Sequence, residues 1–251
     1  MEEKTIKELI SWIKNYVESA KANGVVLGMS GGKDSLVVAG LCVKALGKEN
    51  VFGVIMPNGK MKDKEDATNT CNYLGINYTI IDIEKPYNAI LNKTKKALKL
   101  FNKNLNDIST INTAPRIRMT TLYSIAGSLN YLVANTSNLS EASVGYTTKW
   151  GDNIGDFAPI ANFTKTEVCE IGKLLNLPKD LVYKTPSDGL SGKTDEDKLG
   201  FSYAELDEFI RTGKKGKSFD IINKKHKLSE HKRLGTIKFT YKKQNHFDME
   251  D

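Results

Sequence analysis

The chain has 251 residues, 39% of them hydrophobic and 27% charged, with 37 Lys and Arg against 30 Asp and Glu, a formal net charge of +7. That supports one domain with a sizeable core and is too short for two full enzymes in tandem. No apolar run approaches the roughly 18 residues of a membrane span, and the opening MEEKTIKELI has neither the basic nor the apolar region of a signal peptide. Cys42, Cys71 and Cys169 are odd in number and lack a C-x-x-C pair, so neither a disulfide framework nor a zinc site is signalled. The expected compartment is the cytoplasm.

In chain order, Ile6, Leu9, Ile10, Ile13 and Val17 recur at helical spacing and predict an amphipathic helix over residues 5–20. Gly24 ends it, and residues 25–29 read as a buried parallel strand. Further β-rich runs at 51–56, 78–83 and 131–135 alternate with helical stretches at 34–46, 63–74 and 114–129. This alternation predicts an open, doubly wound α/β sheet flanked by helices, Rossmann-like, with its ligand outside the carboxyl ends of the strands. Beyond residue 145, loops rich in Gly, Asp and Lys alternate with helices at 164–175, 202–212 and 215–228. Two polar segments, 57–64 and 184–200, are expected at the ligand edge, ordering over the substrates. Residues 1–235 are expected to form a single domain and 236–251 a basic tail.

The charge is unevenly placed. Residues 211–251 hold 12 Lys and Arg against 5 Asp and Glu, whereas residues 1–210 hold 25 of each. Such a tail suits nucleic acid or any other anionic ligand.

The most informative segment is VVLGMSGGKDS at 25–35, a strand running into a glycine turn that opens a helix. Gly31 and Gly32 allow close backbone approach, successive N–H groups face outward, and the helix N-terminus adds partial positive charge, which together make an anion site. Ser30 and Ser35 add hydroxyls. Asp34 is unusual beside an anion, and a carboxylate next to phosphate points to a magnesium ion between them. The segment is not a Walker loop, which would need glycine at 27 and Ser or Thr at 34, where this chain has Leu27 and Asp34. Ser-Gly-Gly-x-Asp-Ser instead resembles the pyrophosphate loop of ATP pyrophosphatases.

Within that superfamily, six further segments follow in order: RIRMTTLY at 116–123, TSNLSE at 136–141, GYTTKWGD at 145–152, DFAPI at 156–160, KTEV at 165–168, and TPSDGL at 185–190 with TDED at 194–197. Together they resemble the signature set of the ammonia-dependent NAD synthetases, over residues 5–235. The resemblance implies a ligase that adenylates the nicotinate carboxylate of deamido-NAD with ATP, releases pyrophosphate, and lets ammonia displace AMP to give NAD. It further implies that Gly28, Met29, Ser30, Gly31, Gly32, Lys33, Asp34 and Ser35 hold the ATP phosphates, joined by Thr136, Lys165 and Ser187. Asp34 and Glu141 match the magnesium ligands. Arg116, Lys149, Asp156, His231 and Lys232 match deamido-NAD contacts, and Asp152 is the candidate base for ammonium. Tyr123 is expected nearby or in the core.

The chain departs from the family pattern at two places. Asn135 stands where a glycine is usual, beside ATP. Lys33 replaces an aliphatic residue and either adds charge beside phosphate or points to solvent. The resemblance also implies a homodimer, for which the N-terminal helix and the Met119, Leu122, Ile125, Ala126 stripe are compatible surfaces. No glutaminase domain of roughly 200 residues fits ahead of the loop, so free ammonia is the expected donor, with a separate glutaminase left open. Competing readings are another adenylating ATP pyrophosphatase, such as an amidotransferase or a tRNA-modifying enzyme, and a nonenzymatic nucleotide-binding module. No nucleic-acid or membrane partner is expected.

Overall fold

A computed structural model describes residues 1–61, 63–183 and 194–239. Helix α1 (Glu3–Ser19) buries Ile6, Ile13 and Val17, as its spacing requires, and leads through a turn into β1 (Gly24–Gly28). The following helix α2 (Lys33–Leu46) is buried along most of its length, because it lies under α1 and over the sheet. Strand β2 (Val51–Ile55), helix α3 (Lys64–Leu74) and strand β3 (Asn77–Ile80) repeat the unit. Then come α4 (Glu84–Lys99), α5 (Asp107–Leu129) and β4 (Tyr131–Val133).

The four strands are all parallel, in the order β3-β2-β1-β4. Val26 of β1 lies opposite Phe52 on one side and Val133 on the other. The sheet therefore grows outward from β1 through β3 and then restarts on the opposite edge of β1. That reversal opens a crevice beyond the carboxyl ends of β1 and β4, the place where such sheets take their ligands.

After β4 the chain forms short α6 (Leu139–Ser143), then α7 (Lys165–Leu174), α8 (Lys179–Val182) and α9 (Asp195–Leu199). It ends in α10 (Tyr203–Thr212), α11 (Phe219–Leu228) and α12 (Glu230–Arg233). One sheet face packs Val25, Leu27, Leu36, Val37 and Leu41 with residues of α1 and α7; the other packs Val26, Val54 and Val133 against α5. Each such fully buried aliphatic side chain contributes about 1.5–3 kcal/mol. A third cluster, Val144, Leu199, Phe201, Tyr203, Leu206 and Ile222, ties α9, α10 and α11 to the end of α6.

Three differences from the sequence expectation have local causes. Helix α5 begins at Asp107, ahead of the expected start at 114, because the Asn106 side chain accepts the Ser109 N–H at 2.7 Å and the helix tolerates Pro115 in its interior. Helix α4 was not foreseen. It carries Pro86 in its first turn, where an unpaired N–H is lost at no cost, and buries only Leu91. The third strand stops at Ile80, and Asp82 there turns the chain by accepting the Glu84 N–H at 2.8 Å.

Cys42 and Cys71 are buried, and burial pushes their thiols up to about 12 and about 11. Among the described residues no helix is long and apolar enough to cross a membrane.

Candidate active site

The phosphate loop leaves β1 at its carboxyl end. Gly31 has φ +81°, and a Cβ there would fall 2.5 Å from the Asp63 carbonyl oxygen, so the loop and the segment 57–64 are pressed together at a position only glycine fills. Gly32 is the N-cap of α2 and has no side chain to satisfy the first-turn N–H groups, which leaves them for an anion. Ser30 is exposed, and its Oγ accepts the Gly32 N–H at 3.2 Å. Met29 and Ser35, expected among the phosphate contacts, are turned into the protein. The Met29 N–H donates to the Val54 carbonyl at 2.9 Å, and the Ser35 hydroxyl donates to the Gly32 carbonyl at 2.9 Å, so these residues set the loop's shape. Gly28 packs beside Met56. Lys33 is half-buried with its Nζ 3.8 Å from Cys169 Sγ, directed at α7.

Across the crevice lies a cation flanked by two carboxylates. Lys165, the first residue of α7, is 5% exposed. Its Nζ donates to Asp34 Oδ2 at 2.8 Å and to Glu141 Oε1 at 2.7 Å. The ring of Tyr203 lies 5.1 Å from the same ammonium. Asn138 orients both acids: its Nδ2 donates to Asp34 Oδ1 at 3.1 Å, and its Oδ1 caps α6 by accepting the Glu141 N–H at 3.0 Å. Burial works against the Lys165 ammonium, but Asp34 and Glu141 outweigh it and hold its pKa well above the ordinary value. Burial likewise pushes Glu141 up to about 7, with Lys165 pulling the other way. A carboxylate pair already arranged around a positive charge is a hard-oxygen donor set of the kind magnesium takes.

The residues expected to meet deamido-NAD form a connected chain on the β4 side. Arg116 Nη2 on α5 donates to the Lys149 carbonyl at 3.2 Å, and Lys149 Nζ donates to the His231 carbonyl. Lys232 Nζ is drawn inward to the carbonyls of Gly145 and Thr147, both at 2.7 Å. Gly145 itself has φ +66°, and a Cβ there would fall 2.1 Å from Ser229 Cβ, so the tail docks onto bare backbone. Asp156 is held by the protein itself. Its Oδ2 accepts the Val133 N–H at 2.7 Å and its Oδ1 the Tyr123 hydroxyl at 3.2 Å. Burial, with Asp156 second, pushes that tyrosine up to about 12.

Asp152 is exposed, yet desolvation by the surrounding protein raises its carboxyl, with the Thr148 N–H, 2.6 Å from Oδ1, opposing. Asn135 is buried and holds the turn after β4, donating to the carbonyls of Asp152 and Ile154 at 3.0 and 3.1 Å. Its Cβ lies 2.8 Å from where a Cβ on Gly155 would stand, so Asn135 packs against a position that glycine keeps open. A cavity of about 250 Å³ opens between this turn and the tail, bounded by Asn135, Ser137, Asn153 and Lys232. Thr136 is half-buried within that turn. Ser187 lies outside the described residues.

A family model described as NAD synthase matches residues 5–248. The chain belongs to the NAD synthase family. It is 42% identical over 245 residues to the NH(3)-dependent NAD(+) synthetase of Finegoldia magna, covering 97% of this chain and 98% of that one. It is 47% identical over 208 residues to the enzyme of that name from Thermococcus sibiricus, covering 82% and 79%. Among solved structures, an NMN synthetase from Francisella tularensis superposes with a TM-score of 0.86 at 34% identity, covering 95% of this chain and 98% of that one. An NH3-dependent NAD synthetase from Campylobacter jejuni, in complex with nitrate, gives a TM-score of 0.77 at 31% identity, covering 96% and 100%.

Four residues of the candidate site were given no contact in the motif reading. Asn138 had a signal in the sequence, since Asn-x-x-Glu is an N-cap pattern that places Glu141 at the third helical position. Arg118 lies within the 116–123 segment without an assigned contact; it is half-buried and donates Nε to the Met56 carbonyl at 3.0 Å. Ser140 and Asp207 are joined by a hydrogen bond across 67 residues of chain.

Proposed function

We propose that the protein amidates deamido-NAD to NAD with ATP and ammonia, through an acyl adenylate. The single observation that carries this reading is the Lys165 ammonium held between Asp34 and Glu141 at the switch point, beside the phosphate loop. In the first step a carboxylate oxygen of the nicotinate ring attacks the ATP α-phosphorus, the bond to the β-phosphate oxygen breaks, and pyrophosphate leaves. In the second, ammonia attacks the acyl carbon and AMP departs with the electron pair.

The first-turn N–H groups of α2 and the Ser30 hydroxyl bind phosphate oxygens, and Lys165 neutralises the charge that moves onto the leaving group. Asp34 and Glu141 would hold Mg2+, which supplies Lewis-acid stabilisation of the same phosphates. Thr136 and Ser187 complete the ATP contacts. Arg116, Lys149, His231 and Lys232 shape the dinucleotide side, in which Lys232 acts by fixing carbonyls of the 145–147 turn and Asp156 by fixing Val133 and Tyr123. Asp152 accepts the proton that ammonium sheds, a role that its raised carboxyl suits.

The subunit pairs as a homodimer. Leu122, Ile125 and Ala126 pack into the core, as do Ile6, Ile13 and Val17 of α1, whereas Trp12 and Tyr16 of that helix stay exposed. The most exposed apolar side chains near α5 are Ile108 and Ile111 at its start, with Leu100 and Phe101 just upstream in the chain, all more than two-thirds solvent-exposed, and these form the partner surface. Residues 1–235 act as one domain, and the free, buried cysteines suit a reducing cytoplasm.

Purified protein is assayed for pyrophosphate and for the amide product with ATP, Mg2+ and either ammonium or glutamine. Deamido-NAD and its mononucleotide counterpart are compared, because of the structural likeness to an NMN synthetase. Pyrophosphate release that requires deamido-NAD, and NAD formation with ammonium alone, are expected. Faster turnover of the mononucleotide acid would move the reading to NMN synthesis; ATP cleavage only with tRNA, or none, would overturn it.

A further inference from the structure

Helix α10 lies against α6 and α7, the helices that carry Glu141 and Lys165, and three of its residues meet them in order. Tyr203, Asp207 and Arg211 are spaced four apart and so share one helix face. Tyr203 sets its ring 5.1 Å from the Lys165 ammonium. Arg211 grips Glu167, its Nε 2.7 Å from Oε1, while Glu167 completes the capping box of α7 with Thr164. Between them Asp207, 6% exposed, reaches two helix ends at once. Its Oδ2 accepts the backbone N–H of Thr166 at 2.8 Å and the Thr166 hydroxyl at 2.7 Å, and its Oδ1 accepts the Ser140 hydroxyl. Ser140 Oγ in turn accepts the backbone N–H of Lys165 at 2.9 Å.

We infer that Asp207 is a positioning residue for the ATP half-reaction, holding the backbone of Lys165 and the α6 turn of Glu141 at a fixed separation. This rests on the reading that Lys165 and Glu141 serve ATP. The carboxylate suits the task. It offers several lone pairs to three donors, and it stands at the N-terminus of α7, where the unpaired N–H groups favour negative charge. Ser140 precedes Glu141 directly, and Thr166 follows Lys165 directly, so a slip at Asp207 is transmitted to both functional side chains through one peptide unit each. Among the described residues no comparable link joins Asp207 to Arg116 or Lys149, which stand on α5 and in the loop after α6.

The test compares Asp207→Asn with Ile222→Ala, a truncation on α11 in the apolar cluster that also holds Tyr203 and Leu206. Both are expected to lower the melting temperature. Asp207→Asn alone is expected to slow deamido-NAD-dependent pyrophosphate release about a hundredfold, the scale on which an ångström of misplacement acts, with KM for deamido-NAD unchanged. Ser140→Ala, which opens one arm and keeps the Thr166 bonds, is expected to give a smaller loss with the same KM pattern, and it carries the test if Asp207→Asn does not accumulate. Equal rates for Asp207→Asn and Ile222→Ala, or for Ser140→Ala and wild type, overturn the positioning role. Lys165→Met is run beside them: its retention of wild-type rate overturns the ATP reading itself, whereas an inactive Lys165→Met with a fully active Asp207→Asn overturns the positioning role alone.

Discussion

Replacing Lys165 by methionine keeps most of the side-chain volume and deletes the charge between two acids. The Asp34 and Glu141 oxygens that flank the ammonium at 2.8 and 2.7 Å are then roughly 5 Å apart with no counter-charge between them, a repulsion of about 3 kcal/mol at an effective dielectric constant near 20. Burial already holds Glu141 at about 7, and it loses the pull that opposed this, so its pKa rises further and it takes up a proton at neutral pH. A carboxyl raised in the folded state stabilises that state below the unfolded pKa and ceases to do so as pH rises through the folded one. The variant should therefore lose melting temperature relative to wild type as pH rises from about 7, where the wild-type carboxyl already titrates, through the higher value of the variant. Lost stabilisation of the leaving pyrophosphate costs about a hundred- to a thousandfold in turnover, near 2.7–4 kcal/mol. The assay is pyrophosphate release with MgATP varied at saturating deamido-NAD, together with thermal melts across the same pH range. A kcat within about threefold of wild type would refute the assignment of Lys165 to the transition state.

Gly145→Ala should push the Ser229 side chain off the 145 turn and free residues 229–233, because the new Cβ would stand 2.1 Å from Ser229 Cβ. Faster amide hydrogen exchange there, with a raised KM for deamido-NAD, is expected; unchanged exchange would count against the docking. Glu167 is raised by its burial, but Arg211 and the Thr164 N–H outweigh this and hold it below the ordinary value. Its contribution, about 1 kcal/mol for a partly exposed pair, is present above the unfolded pKa and disappears as pH falls through the folded one. Stability curves of wild type and Glu167→Gln should accordingly differ at neutral pH and converge in acid. Ile111→Glu should turn a dimer into a monomer in sedimentation while the melt changes little, since Ile111 is 67% exposed in the single subunit. A wild-type monomer would dismiss this face as the interface.

The sheet was legible because each strand is a short apolar run bounded by glycine or a polar turn, and the phosphate loop because its glycines and serines are contiguous. Helix α4 was hidden by its composition: a lysine-rich segment with a proline in its first turn and Leu91 as its one buried residue gives little periodicity to detect. At the site, Asp34, Glu141 and Lys165 could be named from their motifs, since each carries its own charge. Their arrangement could not. Asn138 looks like an ordinary cap and Asp207 like a surface acid on an amphipathic helix, and only tertiary packing shows that their side chains serve residues up to 104 positions away. The basic tail was misleading in a similar way. Lys232 and Arg233 spend their charge on backbone carbonyls of residues 142–147, so much of what reads as a ligand footprint is an internal clasp.

The cation cluster draws its members from chain positions 34, 141 and 165, so that Lys165 meets an acid 131 residues upstream. Contacts of such long range close late in folding, after the entropy of a large loop has been overcome. A nascent chain that has finished α2 carries a complete phosphate loop and no counter-charge for it. Recovery of activity during refolding should therefore trail the recovery of helix signal.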